Sequence, residues 1–462
     1  MQSPSSGSAL ASPRKLGVFP TVGGNYFALA VLFSMNLLNY VDRYSFYAVA
    51  THIKDALKIQ DTRLGILSSS FMIVYTIVTP AVGWFGDRYN RRVMLAFGVG
   101  LWSLATVGTA YSQNFEQMFF WRSILGIGEA TYGVIAPALL ADLFSPRVRG
   151  RVMGIYYLAL PLGGALGYGI GGWVADTWHW RTAFLVVGLP GLLAAGAGLL
   201  MHDPGRGASE GKTNDPSHPR GFSDYRSLFR SRTFLYNTAG MAAVTFATGG
   251  YAVWGSTFYQ TVRDMSAKDA GLRIGVLTAV AGLVGITTGT ALADFLLRFT
   301  KRAYMLMAAF AVLASVPFGI LGILEPRVWT ALSLLFVAMV LLAMVLGPAN
   351  TVTANVVPAH RRAAGYALSI FLIHLFGDIS SPIVIGYLSE LFGKPLVTES
   401  ALGGFVKALG AGPVGGSNLT VGMLSVAPVL FLGFIFFLIA SKHLPHDQQQ
   451  AQTTEPRSDL AH

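Results

Sequence analysis

The chain is 462 residues long, 53% hydrophobic and only 12% charged, with a mean hydropathy of +0.53. Soluble domains carry about 25% charged residues, so a soluble globular protein is excluded: it would lack the surface to dissolve with. The absence of cysteine excludes disulfides, thiolate catalysis and Cys-ligated metals, and the net charge of +11 fits the basic loops of a membrane protein better than a nucleic-acid surface.

In chain order, residues 1–25 are polar and rich in Pro, Ser and Gly, without the layout of a cleaved signal peptide, and read as a disordered tail. Apolar stretches near the 20-residue length of a membrane span follow at 26–50, 62–85, 93–111, 116–141, 151–175 and 181–200. Residues 201–232 form the longest polar stretch, a Pro- and Gly-rich linker with an interfacial helix expected near Tyr225–Phe229. Six more spans are expected at 233–259, 272–297, 303–323, 329–355, 363–388 and 419–441, and 442–462 read as a second tail. The expected fold is an all-α membrane protein of 12 transmembrane helices: six-helix bundles over 26–200 and 233–441, joined by the linker.

With an even number of spans, both termini share one side. That side holds 21 Lys and Arg in its loops and tails against 10 on the other, which orients both ends to the cytoplasm. The halves also echo each other. Pro146 and Pro358 are 212 residues apart, as are Arg149 and Arg361, and Asp87 and Asp294 are 207 apart. Duplicated halves in the same orientation are the parallel-repeat plan of a transporter with its site between them.

These loops carry a resemblance. Gly83-x-x-x-Asp87-Arg88-x-x-Arg91-Arg92 resembles the loop signature of the major facilitator superfamily, with Asn90 where Gly is usual. NYVDRYSFYAV (39–49), GDRYNRR (86–92), LGIGEATYGVIAPALLADLF (125–144) and HLFGDISSPIVIGYLSE (374–390) resemble the Spinster branch, strongly in the first half and more weakly in the second. The resemblance implies two six-helix bundles and export of sphingosine-1-phosphate or lysophospholipids.

Charges inside spans are costly, about 3 kcal/mol or more at the bilayer centre, so they face a bundle interior or an aqueous cavity. Span one carries Asp42 and Arg43, span four Arg122 and Glu129, span eleven His374 and Asp378. Arg122 and Glu129 are seven residues apart and share a helix face about 10 Å along the axis. His374 and Asp378 are one turn apart and adjacent. Asp42 and Arg43 point about 100° apart, so each finds a different partner. The resemblance implies that Asp42, Arg43, Arg122 and Glu129 cluster on the central cavity. There Glu129 and Asp42 would carry protons, while Arg122 and Arg43 would hold those carboxylates or an anionic headgroup. A neutralised structural ion pair is the alternative.

The resemblance also implies a cytoplasmic latch to the opposite half, formed by Asp87, Arg88, Arg91 and Arg92. Asp294, with Arg298, Lys301 and Arg302, is its echo; ordinary positive-inside anchoring is the alternative. Gly163, Gly167 and Gly171 in span five, and Gly285 and Gly289 in span eight, are read as packing between the halves. Pro161 and Pro382 are candidate kinks. The span-seven aromatics Phe246, Tyr251, Trp254, Phe258 and Tyr259 either line a pocket for an apolar tail or anchor at the membrane interface.

Rival readings are weaker. RGASEGKT (206–213) lacks the first glycine of a phosphate loop, and no HExxH or GxSxG supports an enzyme. The reading is a monomeric transporter, not an enzyme, that exchanges an amphiphilic, anionic lipid-like substrate for protons across the plasma membrane by alternating access. It implies no metal, cofactor or nucleic acid. An uncoupled facilitator of lipids or drug-like amphiphiles is the alternative, and an intramembrane lipid-modifying enzyme or sensor the reading from another class.

Overall fold

The computed structural model describes residues 24–86, 88–205, 228–358 and 362–453. Almost all of them are helical, and the sole β pairing among them is the isolated bridge Val414–Ser417. In chain order the first half contains α1 (Asn25–Ala48), α2 (Ala50–Leu57), α3 (Asp61–Gly86), α4 (Arg91–Ala110), α5 (Phe115–Leu143), α6 (Pro146–Tyr157), α7 (Ala159–Thr177) and α8 (Trp180–Leu199). The second half contains α9 (Arg232–Thr261), α10 (Ala267–Leu296), α11 (Ala303–Leu324), α12 (Val328–Ala343), α13 (Leu346–Asn355), α14 (Arg362–Phe376) and α15 (Ser380–Leu391). Short helices α16 (Pro395–Thr398) and α17 (Ala401–Ala408) precede α18 (Leu419–Leu424) and α19 (Val426–Thr453).

Ten of the expected spans are helical segments long and apolar enough to cross a membrane. The other two, α1 and α9, are 24 and 30 residues long but more polar. Their polar groups turn inward: Asn36, Asn39 and Asp42 are buried in α1, and Asn237, Ser256 and Thr257 in α9. In lipid every backbone polar group must be satisfied internally, which favours unbroken helices with closed ends. Asn90, Asn114, Ser231 and Ser266 accordingly cap α4, α5, α9 and α10 through their side chains.

Four spans are assembled from two helices each: α6–α7, α12–α13, α14–α15 and α18–α19. Pro161 and Pro382 fall in the first turn after such breaks, where proline's missing N–H costs nothing; the kink expected at them is a break just upstream. The chain also stays helical beyond the expected end of the last span. Here α19 runs on to Thr453, because Leu444 is fully buried and the Asp447 carboxylate accepts the Thr233 N–H at 2.8 Å and the Ser231 hydroxyl at 3.0 Å. The linker residues 206–227, residues 1–23 and residues 454–462 lie outside the described residues, as does most of the segment expected to form an interfacial helix.

The glycine stripes pack differently from expectation. Gly163, Gly167 and Gly171 lie against Tyr40, Val41 and Ser45 of α1, within the same half; a Cβ on Gly167 would come within 2.6 Å of the Val41 carbonyl. Gly285 and Gly289 lie against Val340, Ala343 and Met344, again within one half. Close approach between halves depends on other glycines: Gly172 against Ala267, and Gly65 against Pro382. The physical reason is that the stripe covers only one face of α7, while the neighbouring face meets α10.

The halves meet chiefly through two helix pairs, α7 with α10 and α3 with α15. Polar bonds between the halves lie toward the end where α1 leads into α3. The Ser389 hydroxyl donates to Asp61 at 2.7 Å, the Thr62 N–H donates to Glu390 at 2.6 Å, and Ser69 donates to the Ile379 carbonyl at 2.7 Å. Gln260 donates to the Ala48 carbonyl at 3.0 Å, and within the first half Lys54 pairs with Asp61 at 2.5 Å. At the opposite end Ile77, Trp84 and Phe85 of α3 are exposed, and no hydrogen bond between fully described residues joins the halves. Among the described residues, polar bonds seal one end and none seals the other.

Candidate functional site

The first-half charges meet across helices. α1 contributes Asp42 and Arg43 from consecutive positions, and α5 contributes Arg122 and Glu129. An Arg43 guanidinium nitrogen lies 2.5 Å from Glu129 Oε2. The Glu129 side chain is 1% exposed and that of Arg43 is 18%, so the cation is the more accessible member of the pair. Phe71 and Tyr40 stack beneath the Arg43 guanidinium, at 4.7 and 5.4 Å from their ring centroids.

The pair is incompletely satisfied. Glu129 Oε1 and Arg43 Nε are buried without a hydrogen-bond partner, as is the Asn39 amide nitrogen one turn away. Buried polar atoms in folded proteins are nearly always paired, so Glu129 Oε1 and Arg43 Nε keep hydrogen-bonding capacity for a further group.

Asp42 and Arg122 are arranged otherwise than expected. Asp42 is held by a hydrogen bond from the Thr106 hydroxyl of α4, with no ion pair to either arginine. Arg122 donates Nε to the Leu67 carbonyl at 2.7 Å and stacks 3.6 Å from the Phe46 ring centroid. Its seven-residue spacing from Glu129 puts both groups in the cluster, but an aromatic face and a carbonyl, not a carboxylate, hold Arg122. Thr106, Phe46, Phe71 and the Leu67 carbonyl were not singled out from sequence. A threonine in an apolar helix carries no distinguishing pattern, and a carbonyl has no sequence signal at all.

In the second half His374 Nδ1 lies 2.9 Å from Asp378 Oδ1, with side chains 29% and 22% exposed. This pair comes from one helical run and its neighbouring break, at the spacing the sequence predicts. The span-seven aromatics form core. Phe246, Tyr251, Trp254, Phe258 and Tyr259 are buried, and the cavity beside Tyr251, Phe258 and Tyr259 is only about 20 Å³, too small for an apolar tail.

Asp87 lies outside the described residues. Arg88 stacks on Trp84 at 3.8 Å and donates to its carbonyl at 3.0 Å. Arg91 bridges Asp142 at 2.5 Å and Asp203 at 2.6 Å, and Arg92 reaches the Leu199 and Met201 carbonyls at 3.4 Å. These bonds staple the ends of α4, α5 and α8 within the first half, so here Arg91 does not reach across as a latch: two nearer carboxylates hold it. Burial alone would raise the Asp203 carboxyl, but the Arg91 hydrogen bonds and charge hold it below the usual carboxylate range. Asp294 accepts the Tyr304 hydroxyl at 2.8 Å, also within its own half.

The family model for the Major Facilitator Superfamily matches residues 32–382. Protein spinster of Drosophila melanogaster is 33% identical over 381 residues, which cover 80% of this chain and 63% of the fly protein. Protein spinster homolog 1 of Rattus norvegicus is 33% identical over 389 residues, covering 80% of this chain and 74% of the relative. Among solved structures, a bacterial homologue of the human lysosomal transporter Spinster, in an inward-facing and unoccupied conformation, superposes with a TM-score of 0.80. That match is 23% identical and covers 92% of this chain and 98% of the other.

Proposed function

This chain belongs to the Spinster family of transporters within the major facilitator superfamily, and from that premise we propose that it carries an amphiphilic, anionic lipid-like substrate across the plasma membrane in a proton-coupled cycle. The substrate is of the sphingosine-1-phosphate or lysophospholipid type, and the mechanism is alternating access. The single observation that carries the reading is the Arg43–Glu129 pair, with its cation the more accessible member and its carboxylate buried.

An anionic headgroup entering from the open end meets Arg43 before Glu129. The guanidinium is planar and offers several donors, and its Nε is unpartnered, so it can grip a phosphate through two bonds. A headgroup that draws Arg43 away leaves Glu129 as an isolated buried carboxylate, which is too costly to keep charged and is neutralised by taking up a proton. The headgroup and the ionised Glu129 carboxylate thus compete for one cation, so substrate binding and proton uptake at Glu129 favour each other, which couples the two. Asp42, under the Thr106 hydroxyl, is a second proton carrier, and Arg122 fixes α5 against α3 while contributing positive field.

The positive-inside rule supports placing the open end, with Arg88, Arg91, Arg92, Arg298, Lys301 and Arg302, in the cytoplasm together with both termini. The open conformation is then inward-facing. The loop groups Asp87, Arg88, Arg91, Arg92 and Asp294 are assigned to latches that engage when this end closes.

The test is flux of a fluorescent lysophospholipid into proteoliposomes, with and without an imposed pH gradient, for wild type and Glu129→Gln. Gradient-driven flux that the variant loses supports proton coupling through Glu129. Flux indifferent to gradient and variant makes the protein an uncoupled facilitator and Glu129 a structural partner.

A further inference from the structure

On the outer flank of the second half, α10, α11 and α12 frame an apolar pocket of about 390 Å³. Leu292 and Leu296 come from α10, Met307 and Phe310 from α11, Leu341 from α12 and Met344 from the break that follows it. Leu292 and Phe310 are exposed, so the pocket opens to the surface of the molecule. It extends along α11 from Ala303 to Ala314, about 16 Å at the helical rise. It shares no residue with the Arg43–Glu129 cluster or the His374–Asp378 pair.

One end of this slot is cationic. The turn between α10 and α11 carries Arg298, Lys301 and Arg302, all exposed, and none forms an ion pair among the described residues. Phe299 between them is exposed as well, and the nearby Asp294 is engaged by the Tyr304 hydroxyl. Thr300 and Ala303 belong to both the pocket wall and this turn, which joins slot and rim.

We propose that this pocket binds an anionic phospholipid of the surrounding bilayer, with an acyl chain in the slot and the phosphate on Arg298, Lys301 and Arg302. The slot's length and apolar lining match a chain, and basic side chains at a membrane surface attract anionic headgroups. A zwitterionic lipid would fill the slot and leave the rim uncompensated. The chain would also brace the break between α12 and α13, because Met344 lines the pocket at that break and Gly289 packs on Met344 from the other side. Only the membrane-spanning fold is assumed here, not the identity of the transported substrate.

The full chain, reconstituted in nanodiscs of phosphatidylcholine with a minor fraction of phosphatidylglycerol and then extracted into detergent, is assayed for retained lipid by mass spectrometry. Wild type is expected to enrich phosphatidylglycerol about fivefold, the effect of roughly one basic side chain at an anionic surface. The triple change R298Q, K301Q and R302Q should bring the enrichment to unity, and so should Ala314→Trp, which blocks the slot. Absence of enrichment in wild type overturns the proposal. So does enrichment that survives Ala314→Trp, because the basic turn would then attract lipid without the pocket. A phosphatidylglycerol with a photoreactive acyl chain gives a check that needs no variant: crosslinks at Leu292, Phe310 or Met344 support the site, and crosslinks confined elsewhere refute it.

Discussion

The two charged clusters within the spans are built in opposite ways. Arg43 and Glu129 lie 86 residues apart and meet across two helices, with the Glu129 carboxylate sealed behind the partly exposed cation. His374 and Asp378 are one turn apart in the same helical run, with roughly a quarter of each side chain exposed. A pair spanning two helices can be separated when helices shift or a ligand competes, and in a buried setting each state differs greatly in energy. A local pair moves as one body and is screened by solvent. The proposed coupling chemistry is therefore assigned to the first cluster, and the second is expected to have little leverage over it.

The largest effect is expected from Arg43→Ala. Removing one member of a buried pair strands the other charge, at a cost of about 3–5 kcal/mol. Transport should fall about 100-fold or more and the melting temperature should drop, read by proteoliposome flux and thermal unfolding of the same preparation. Arg43→Lys should restore stability more than flux, because lysine keeps the charge and loses the planar fork. Equal flux in wild type and Arg43→Ala would erase the distinction between the clusters.

The sealed end offers the next test. Asp61→Asn weakens the Lys54 ion pair and the Ser389 bond together, and the equilibrium should move about tenfold toward opening of that end, in line with losing one to two buried polar bonds. Because the sequence has no cysteine, pairs of introduced cysteines on α3 and α15 can be spin-labelled without background, and distance distributions report the shift. Unchanged distributions would assign the seal to apolar packing around Gly65 and Pro382.

A smaller effect is expected at His374. His374→Gln should change flux by no more than about threefold, consistent with a screened, partly exposed pair. A loss as large as that of Arg43→Ala would move the coupling site into the second half.

The smallest effect concerns Asp203, whose carboxyl is held below its unfolded range by Arg91. A lowered native pKa adds stability above the unfolded value of about 3.9 and loses it as pH falls through the native value. The melting-temperature difference between wild type and Asp203→Asn should be constant from neutral pH down to about 4 and vanish below it. A difference that grows on acidification would contradict the staple.

The spans were legible because membrane helices need long apolar runs, and the inward-turned charges because lipid makes such residues conspicuous. The i,i+4 pair His374–Asp378 was legible too, since helical geometry alone brings its members together. Less was readable where apolarity is not the signal. α19 continues to Thr453 through a stretch whose polar composition reads as a tail, and only the contact of Asp447 with the start of α9 accounts for it. The glycine stripe of α7 marked a close-packed face correctly as a type, but a stripe cannot say which neighbour it meets.

Composition, periodicity and loop charge by themselves determined an all-helical membrane protein with duplicated halves, and singled out the few charged residues inside it, because these features follow from the solvent around each helix. Only the tertiary structure decided that Arg43 and not Arg122 takes Glu129, that Thr106 holds Asp42, and that the seal lies at Asp61, Ser389 and Glu390. Those choices depend on distances between helices far apart in the chain. A side chain's partner is set by the rotation and depth of both helices, and the one-dimensional pattern specifies neither.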